Sequence, residues 1–227
     1  IIAYLKDADI SLEVFNNNIQ NYIYQSRLTD ENGNPVVVVP GNLTYQYQQS
    51  KARLYGAEFS VNVHPAKWKW LTFNNSLAYV VGLNKNEELL KQYGREAKYL
   101  PFIPPVQIRS ELKFTTQTEN KRFEKPYLKV DVLFAADQNR FYALDNTETF
   151  TAGYTLFNAG LGSGIKSKSG KTVFDIFIQC DNIFDKAYQS NLNRLKYFEY
   201  YASSPNGRSG IYNMGRNLSF KVIVPIN

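Results

Sequence analysis

The residue types best suited to chemistry in this sequence are arginines and tyrosines gathered between runs of alternating hydrophobicity: Arg95, Tyr99, Arg140, Tyr142, Tyr188, Arg194, Tyr197, Tyr200, Tyr201 and Arg208. Guanidinium groups grip carboxylates or phenolates through paired hydrogen bonds, and phenol rings stack on planar ligands. That is the chemistry of capture, not of bond making. The competing role for each is structural, holding loops together or marking a membrane interface. Covalent and metal chemistry find little support. Gly164 to Thr172 (GIKSKSGKT) comes close to a phosphate-cradling loop, but Gly170 falls one residue late and a strand follows where a helix is needed. His64 stands beside Pro65 with no second His and no Cys pair, so no metal ligand set forms around it. Cys180 is the single cysteine; it excludes an internal disulfide framework and reads as a small hydrophobe on an apolar face. Glu87 and Glu88 belong to a charged loop, and no triad or carboxylate pair is arranged for catalysis. The expectation is no enzyme, no metal and no cofactor.

Binding residues on loops need a rigid scaffold, and strands supply it. Tyr55, Ala57, Phe59, Val61 and Val63 alternate with Gly56, Glu58, Ser60 and Asn62. The same period of two runs through Leu71 to Val81, Val106 to Phe114, Leu128 to Ala136, Phe174 to Cys180 and Leu218 to Val224. Ile10 to Tyr24 has a mixed start, and Thr149 to Ile165 is less regular, with an expected slip of phase at a bulge near Phe157-Asn158. Such alternation means one wet face and one apolar face. The count is about eight strands, several longer than the usual soluble length of about five or six residues. The connections alternate too. Short turns (64–67, 117–126, 166–171) interleave with long excursions (25–42, 82–103, 187–210) and the shorter 142–148. Loops sorted by end are the mark of an up-and-down barrel that crosses an outer membrane.

The wet face is uniformly charged, carrying Arg109, Glu111, Lys113, Lys129, Asp131, Asp137, Asp175 and Lys221, as a polar lumen would be. Tyr22, Tyr24, Tyr79, Tyr127, Phe141, Tyr142, Tyr154 and Phe174 lie near strand ends, where interfacial girdles are expected. Alternation alone leaves a soluble β-rich domain open, such as a carbohydrate-binding or adhesive module, and a complete small eight-stranded barrel. The 227 residues carry a formal charge of +6, but Lys and Arg are spread with acids between them, which argues against nucleic acid as a partner. No run of apolar residues is long enough for a membrane-spanning helix. The chain opens in mid-pattern, so Ile1 is expected to lie inside a longer chain.

Specific segments sharpen the choice. DNIFDKAYQSNLNRLKYF (181–198) resembles the penultimate-strand segment of TonB-dependent outer-membrane receptors, and GRNLSFKVIVP (215–225) resembles their final strand. ARLYGAEFSVNVHPAKW (52–68), LPFIPPVQIRSELKF (100–114) and ETFTAGYTLFNAGLG (148–162) are similar to further segments of that family, in the expected order. One departure is the end of the sequence, Val224-Pro225-Ile226-Asn227, where family members often finish on an aromatic residue.

The resemblance implies that residues 1–227 are the C-terminal portion of a plugged barrel of about twenty-two strands. It implies an all-β antiparallel transmembrane barrel in the Gram-negative outer membrane, with the plug domain and earlier strands elsewhere. Partners expected on the same ground are the lipid bilayer, the protein's own plug, the TonB complex and a small scarce nutrient: an iron–siderophore complex, haem or a vitamin. The long loops, with the arginines and tyrosines named above, would then be extracellular.

Overall fold

A computed structural model describes residues 1–32, 34–40, 44–117, 121–144, 148–197 and 210–225. Nine antiparallel strands form one sheet in sequence order: β1 (Ile2–Tyr4), β2 (Ala8–Arg27), β3 (Tyr45–Val63), β4 (Leu71–Asn84), β5 (Gln107–Thr115), β6 (Phe123–Ala135), β7 (Tyr154–Lys166), β8 (Thr172–Asp181) and β9 (Asn217–Ile223). The added strand is β1, three residues long and too short to show a period. β1 and β9 are the two edges and do not pair with each other, so these strands form an open wall and not a small closed barrel. A short helix, α1 (Glu87–Tyr93), is capped by the Asn86 side chain, which accepts from the amides of Glu88 and Leu89.

Register carries the alternation across the whole sheet. Leu12 pairs with Phe59, Phe59 with Leu77, Leu77 with Ile108 and Ile108 with Phe134. Lower down, Leu128, Leu161, Ile178 and Phe220 form a second row. These side chains remain exposed; Phe59, Phe134, Leu161 and Phe220 keep 40%, 40%, 46% and 67% of their surface. Among the described residues, no Asp or Glu occupies this face at any paired position of β2–β9. An extended apolar face free of carboxylates has no place in water.

The opposite face is a polar lattice. Glu111 stands across from Asp131, and Lys113 across from Lys129, so like charges meet directly. Diagonal contacts offset this. Lys129 Nζ reaches Glu111 at 3.3 Å, and Arg109 approaches the buried Asp131 at 3.5 Å. Asn158 donates to Asp131 at 2.7 Å, Asn74 donates to Glu111 at 3.2 Å, and Lys113 sits over the Tyr127 ring at 4.2 Å.

Two expectations are corrected here. There is no bulge at Phe157-Asn158: β7 pairs with β6 without interruption from Tyr154 to Gly162. The apparent slip arises because the polar face of β7 carries glycines where charges stand elsewhere. At Gly162 a Cβ would lie 2.7 Å from Tyr127 and 2.8 Å from Phe177, so rings from both neighbours fill the space. The register breaks fall at Glu124/Tyr127 and Ile165/Lys166, and in β2 at Ile19/Tyr22. Nor do all the end-of-strand aromatics form girdles. Tyr24 and Tyr142 are buried in the loops, and Tyr127 and Tyr154 lie on the polar face. The apolar face instead presents Tyr55 and Tyr79 toward the long loops, and Trp70 stacked on Phe114 at 5.8 Å toward the short turns.

One polar pair interrupts the apolar face: Ser110 donates to Asn75 at 2.7 Å across the β4–β5 ladder. Ser110→Ala alone should cost about 1–2 kcal/mol by stranding the Asn75 amide, whereas Asn75→Leu with Ser110→Ala should recover that loss. Unfolding titrations of the full-length protein in lipid vesicles decide this; a double variant weaker than the single one contradicts it.

Candidate ligand-binding loops

Four long connections, 28–44, 85–106, 136–153 and 182–216, leave the sheet at one end. The described residues of the last three fold over its polar face. The compact hydrophobic cluster of the described chain is here, where Tyr24 meets Ala97, Tyr142 and Leu144. Tyr24 belongs to the polar-face set of β2, and its ring meets Tyr142 edge-on at 5.6 Å.

Glu148 joins two of the connections. Its carboxylate accepts from the amide of Phe102 at 2.9 Å and from the amide of Tyr142 at 3.1 Å. Phe102 has φ 58, a strained conformation for a non-glycine residue, and the bond to Glu148 helps to hold it. Burial pushes the Glu148 carboxyl above its ordinary range, while the two amides, Arg194 and Lys196 pull it back. The 182–216 connection enters through a 3-10 helix, Arg194–Tyr197. Arg194 lies over the Phe102 ring at 4.1 Å. Lys196 donates to Phe150 O at 2.7 Å and to Thr151 Oγ1 at 2.5 Å. Gln138 and Asn191 converge on the carbonyl of Ile103, at 2.5 and 2.9 Å. The three connections are therefore one plate.

Burial lowers the Lys196 ammonium from 10.5 to about 8, partly opposed by Glu148. Between those values the unfolded segment holds a proton that the folded one has released, so order is gained as pH rises from about 8 toward 10.5 and is level below. A spin label at the exposed Leu192 should lose mobility across that window. Constant or rising mobility contradicts the assignment.

The ten residues singled out in the sequence divide clearly. Arg95 is exposed after α1, and Tyr99 is half-buried with Lys98 Nζ 5.5 Å from its ring. Tyr188 packs on Tyr154 at 4.5 Å, and burial pushes its phenol up. That ring pair borders a cleft of about 360 Å³ with Phe150, Lys186, Lys196 and Tyr212 on its other sides. Arg194 belongs to the plate. Tyr142 is completely buried, so it supports the loops from within. Arg140 turns away to Tyr79 on the apolar face, donating to its hydroxyl at 3.0 Å. Tyr197 ends the 3-10 helix, while Tyr200, Tyr201 and Arg208 lie outside the described residues. Glu148, Lys196, Gln138 and Asn191 were not singled out as site residues, although Glu148 opens the 148–162 segment and Asn191 and Lys196 lie within 181–198, because their role comes from contacts between connections and not from a repeat.

The DNIFDK run has a mechanical role. Asn182, at φ 50 and buried, receives the amide of Lys186 on its side-chain oxygen and donates to the Lys186 carbonyl, both at 2.9 Å. Its own amide donates to Asn158 at 2.8 Å. Phe184 meets Phe157 at 5.2 Å, and Asp185 accepts from the amide of Arg216 at 2.7 Å. The end of β8 is thus tied to β7 and to the start of β9.

The family model described as "TonB dependent receptor-like, beta-barrel" matches residues 3–183, and the chain belongs to that family. Its fold is the antiparallel transmembrane β-barrel, of which these strands are a part, with the apolar face outward. Among solved structures it is similar to the copper transporter OprC (TM-score 0.70, 19% identity), covering 97% of this chain and 29% of that one. It is also similar to the ferric enterobactin receptor PfeA of Pseudomonas aeruginosa (0.58, 18%; 97% and 29%) and to the ferric-catecholate import receptor Fiu of E. coli (0.54, 16%; 96% and 25%). The chain thus spans less than a third of each of these proteins. A search of curated protein sequences returns no match.

Proposed function

We propose that these residues are the C-terminal part of an outer-membrane receptor that captures a scarce nutrient and imports it by energy coupling through TonB, without performing covalent chemistry. The observation that carries this reading is the plate of three long connections folded over the polar face, presenting Arg95, Tyr99, Tyr188 and Arg194 at one end of a charged wall. Capture by such groups suits an anionic or aromatic chelate, an iron–siderophore complex above haem or a vitamin. The similar structures named for copper and ferric ligands support a metal-bearing cargo. The plug domain and the rest of the barrel complete the machine, and the long loops face outside the cell.

The test uses the full-length receptor in its native membrane. Arg95→Gln, Tyr188→Ala and Arg194→Gln together should leave insertion intact and lower uptake of a ferric catecholate by about tenfold or more, the loss of one charge-assisted contact being worth roughly 1.5–3 kcal/mol. Unchanged uptake would remove these residues from the site.

A further inference from the structure

The outward face is mainly apolar, and among the described residues paired cations enter it only toward the long loops. Lys51, Arg53, Tyr55, Ala57 and Phe59 of β3 follow one another at every second position and so share one face. Arg53 donates through Nε to Asn16 at 2.8 Å and lies over the Tyr55 ring at 5.2 Å. From a different loop, Arg140 arrives on the same patch, 5.0 Å over the ring of Tyr79. Tyr79 stands opposite Ala57, and Tyr55 opposite Val81, so the two rings are diagonal neighbours. The result is two guanidinium groups beside adjacent phenol rings, 5.2 and 5.0 Å from their centroids, at the rim of an otherwise lipid-facing surface. No carboxylate bridges either of them among the described residues.

We infer that Arg53 and Arg140, with Lys51 beside them, bind the phosphate of a lipid headgroup in the outer leaflet. Three features point to that occupant. The patch continues the lipid-facing band, so whatever covers it has acyl chains below and a polar group above. Neither guanidinium is ion-paired among the described residues, the acids nearest the patch being Glu87 and Glu88 in the cleft beside Lys51, and a guanidinium presents paired N–H groups that match phosphate oxygens. Nε of Arg53 and one Nη of Arg140 are engaged by Asn16 and Tyr79, which anchors both side chains and leaves their remaining donors for the headgroup. A ligand taken up through the lumen would not meet this face.

The inference rests on the reading of the chain as part of an outer-membrane barrel, and the two can fail separately. The full-length receptor, purified in detergent, is titrated by native mass spectrometry with lipid A carrying its phosphates and with the dephosphorylated form. Wild-type protein should prefer the phosphorylated lipid by about tenfold, and Arg53→Gln with Arg140→Gln should abolish that preference. Lys168→Gln, in the short turn at the other end, should not change it. Folding of each variant is checked by heat-modifiable gel mobility. If the double variant does not fold, Lys51→Gln, an exposed position, should still lower the preference severalfold. Equal binding of both lipids, or a preference untouched by the variants, overturns the site, as does displacement of the lipid by millimolar inorganic phosphate. Recovery of the native protein without detergent would instead overturn the barrel reading itself.

Discussion

Glu148→Ala is expected to release the loop plate, raising local opening of the 97–103, 142–144 and 148–151 segments about a hundredfold while the strands stay protected. The carboxylate is 3% exposed and serves two amides, those of Phe102 and Tyr142. Removing it takes this acceptor from one buried and one half-buried amide, at roughly 1–3 kcal/mol each. A central expectation of about 3 kcal/mol corresponds to roughly two decades in the opening equilibrium. Phe102 also loses what holds it at positive φ, and with it the ring under Arg194. Glu148→Gln should be milder, because its amide oxygen still accepts one of the two bonds. Hydrogen exchange of the full-length receptor reads the effect directly. Uptake should fall with the plate, since binding groups held by disordered loops must be ordered again by the ligand. Unchanged exchange at Phe102 and Tyr142 would show that the contact is incidental.

The strands were legible because their period is enforced twice, by lipid on one side and by water on the other. Each of the longer alternating runs became a strand, and the faces read for Tyr55–Val63, Leu128–Ala136 and Phe174–Cys180 are the faces observed. Where the pattern misled, a local substitution of environment was responsible. Glycines at 160, 162 and 164 hid the polar face of β7, because the atoms that occupy it belong to Tyr127, Phe177 and Gln179 of the neighbouring strands. The loops were legible only as candidates. Arg140 and Tyr142 are two residues apart, yet one lies on the outward face and the other is completely buried. No spacing rule separates them, since loop side chains are directed by tertiary contacts and not by a repeat. Glu148 stands in the quoted 148–162 segment, yet its structural role was not legible for the same reason. Its importance comes from two amides distant in sequence.

The two most recognisable motifs of the sequence should prove to be one device, and disrupting it should have the second large effect. Gly215 precedes Arg216, whose amide binds Asp185; a Cβ at Gly215 would lie 2.5 Å from that same carboxylate oxygen. The glycine is therefore the space that the aspartate of DNIFDK needs in order to hold the start of β9. Asp185→Ala should cost about 1.5–3 kcal/mol, the value of a hydrogen bond to a charged group, and Gly215→Val a similar amount by pushing the carboxylate away. Because both remove one contact, Asp185→Ala combined with Gly215→Val should cost much less than the sum, with a coupling of about 1–3 kcal/mol. Asn182→Ala should be worse than either, near 3 kcal/mol. It deletes the two bonds to Lys186 while keeping a φ of 50 that alanine tolerates poorly. Folding yield and urea midpoints of the full-length barrel in vesicles measure all of these. Additive losses would mean that Asp185 and Gly215 act independently and that β9 is registered by its ladder alone. Coupled losses would show that β9, whose outer edge has no partner among the described residues, is held by a side chain from the preceding turn as well as by its ladder to β8.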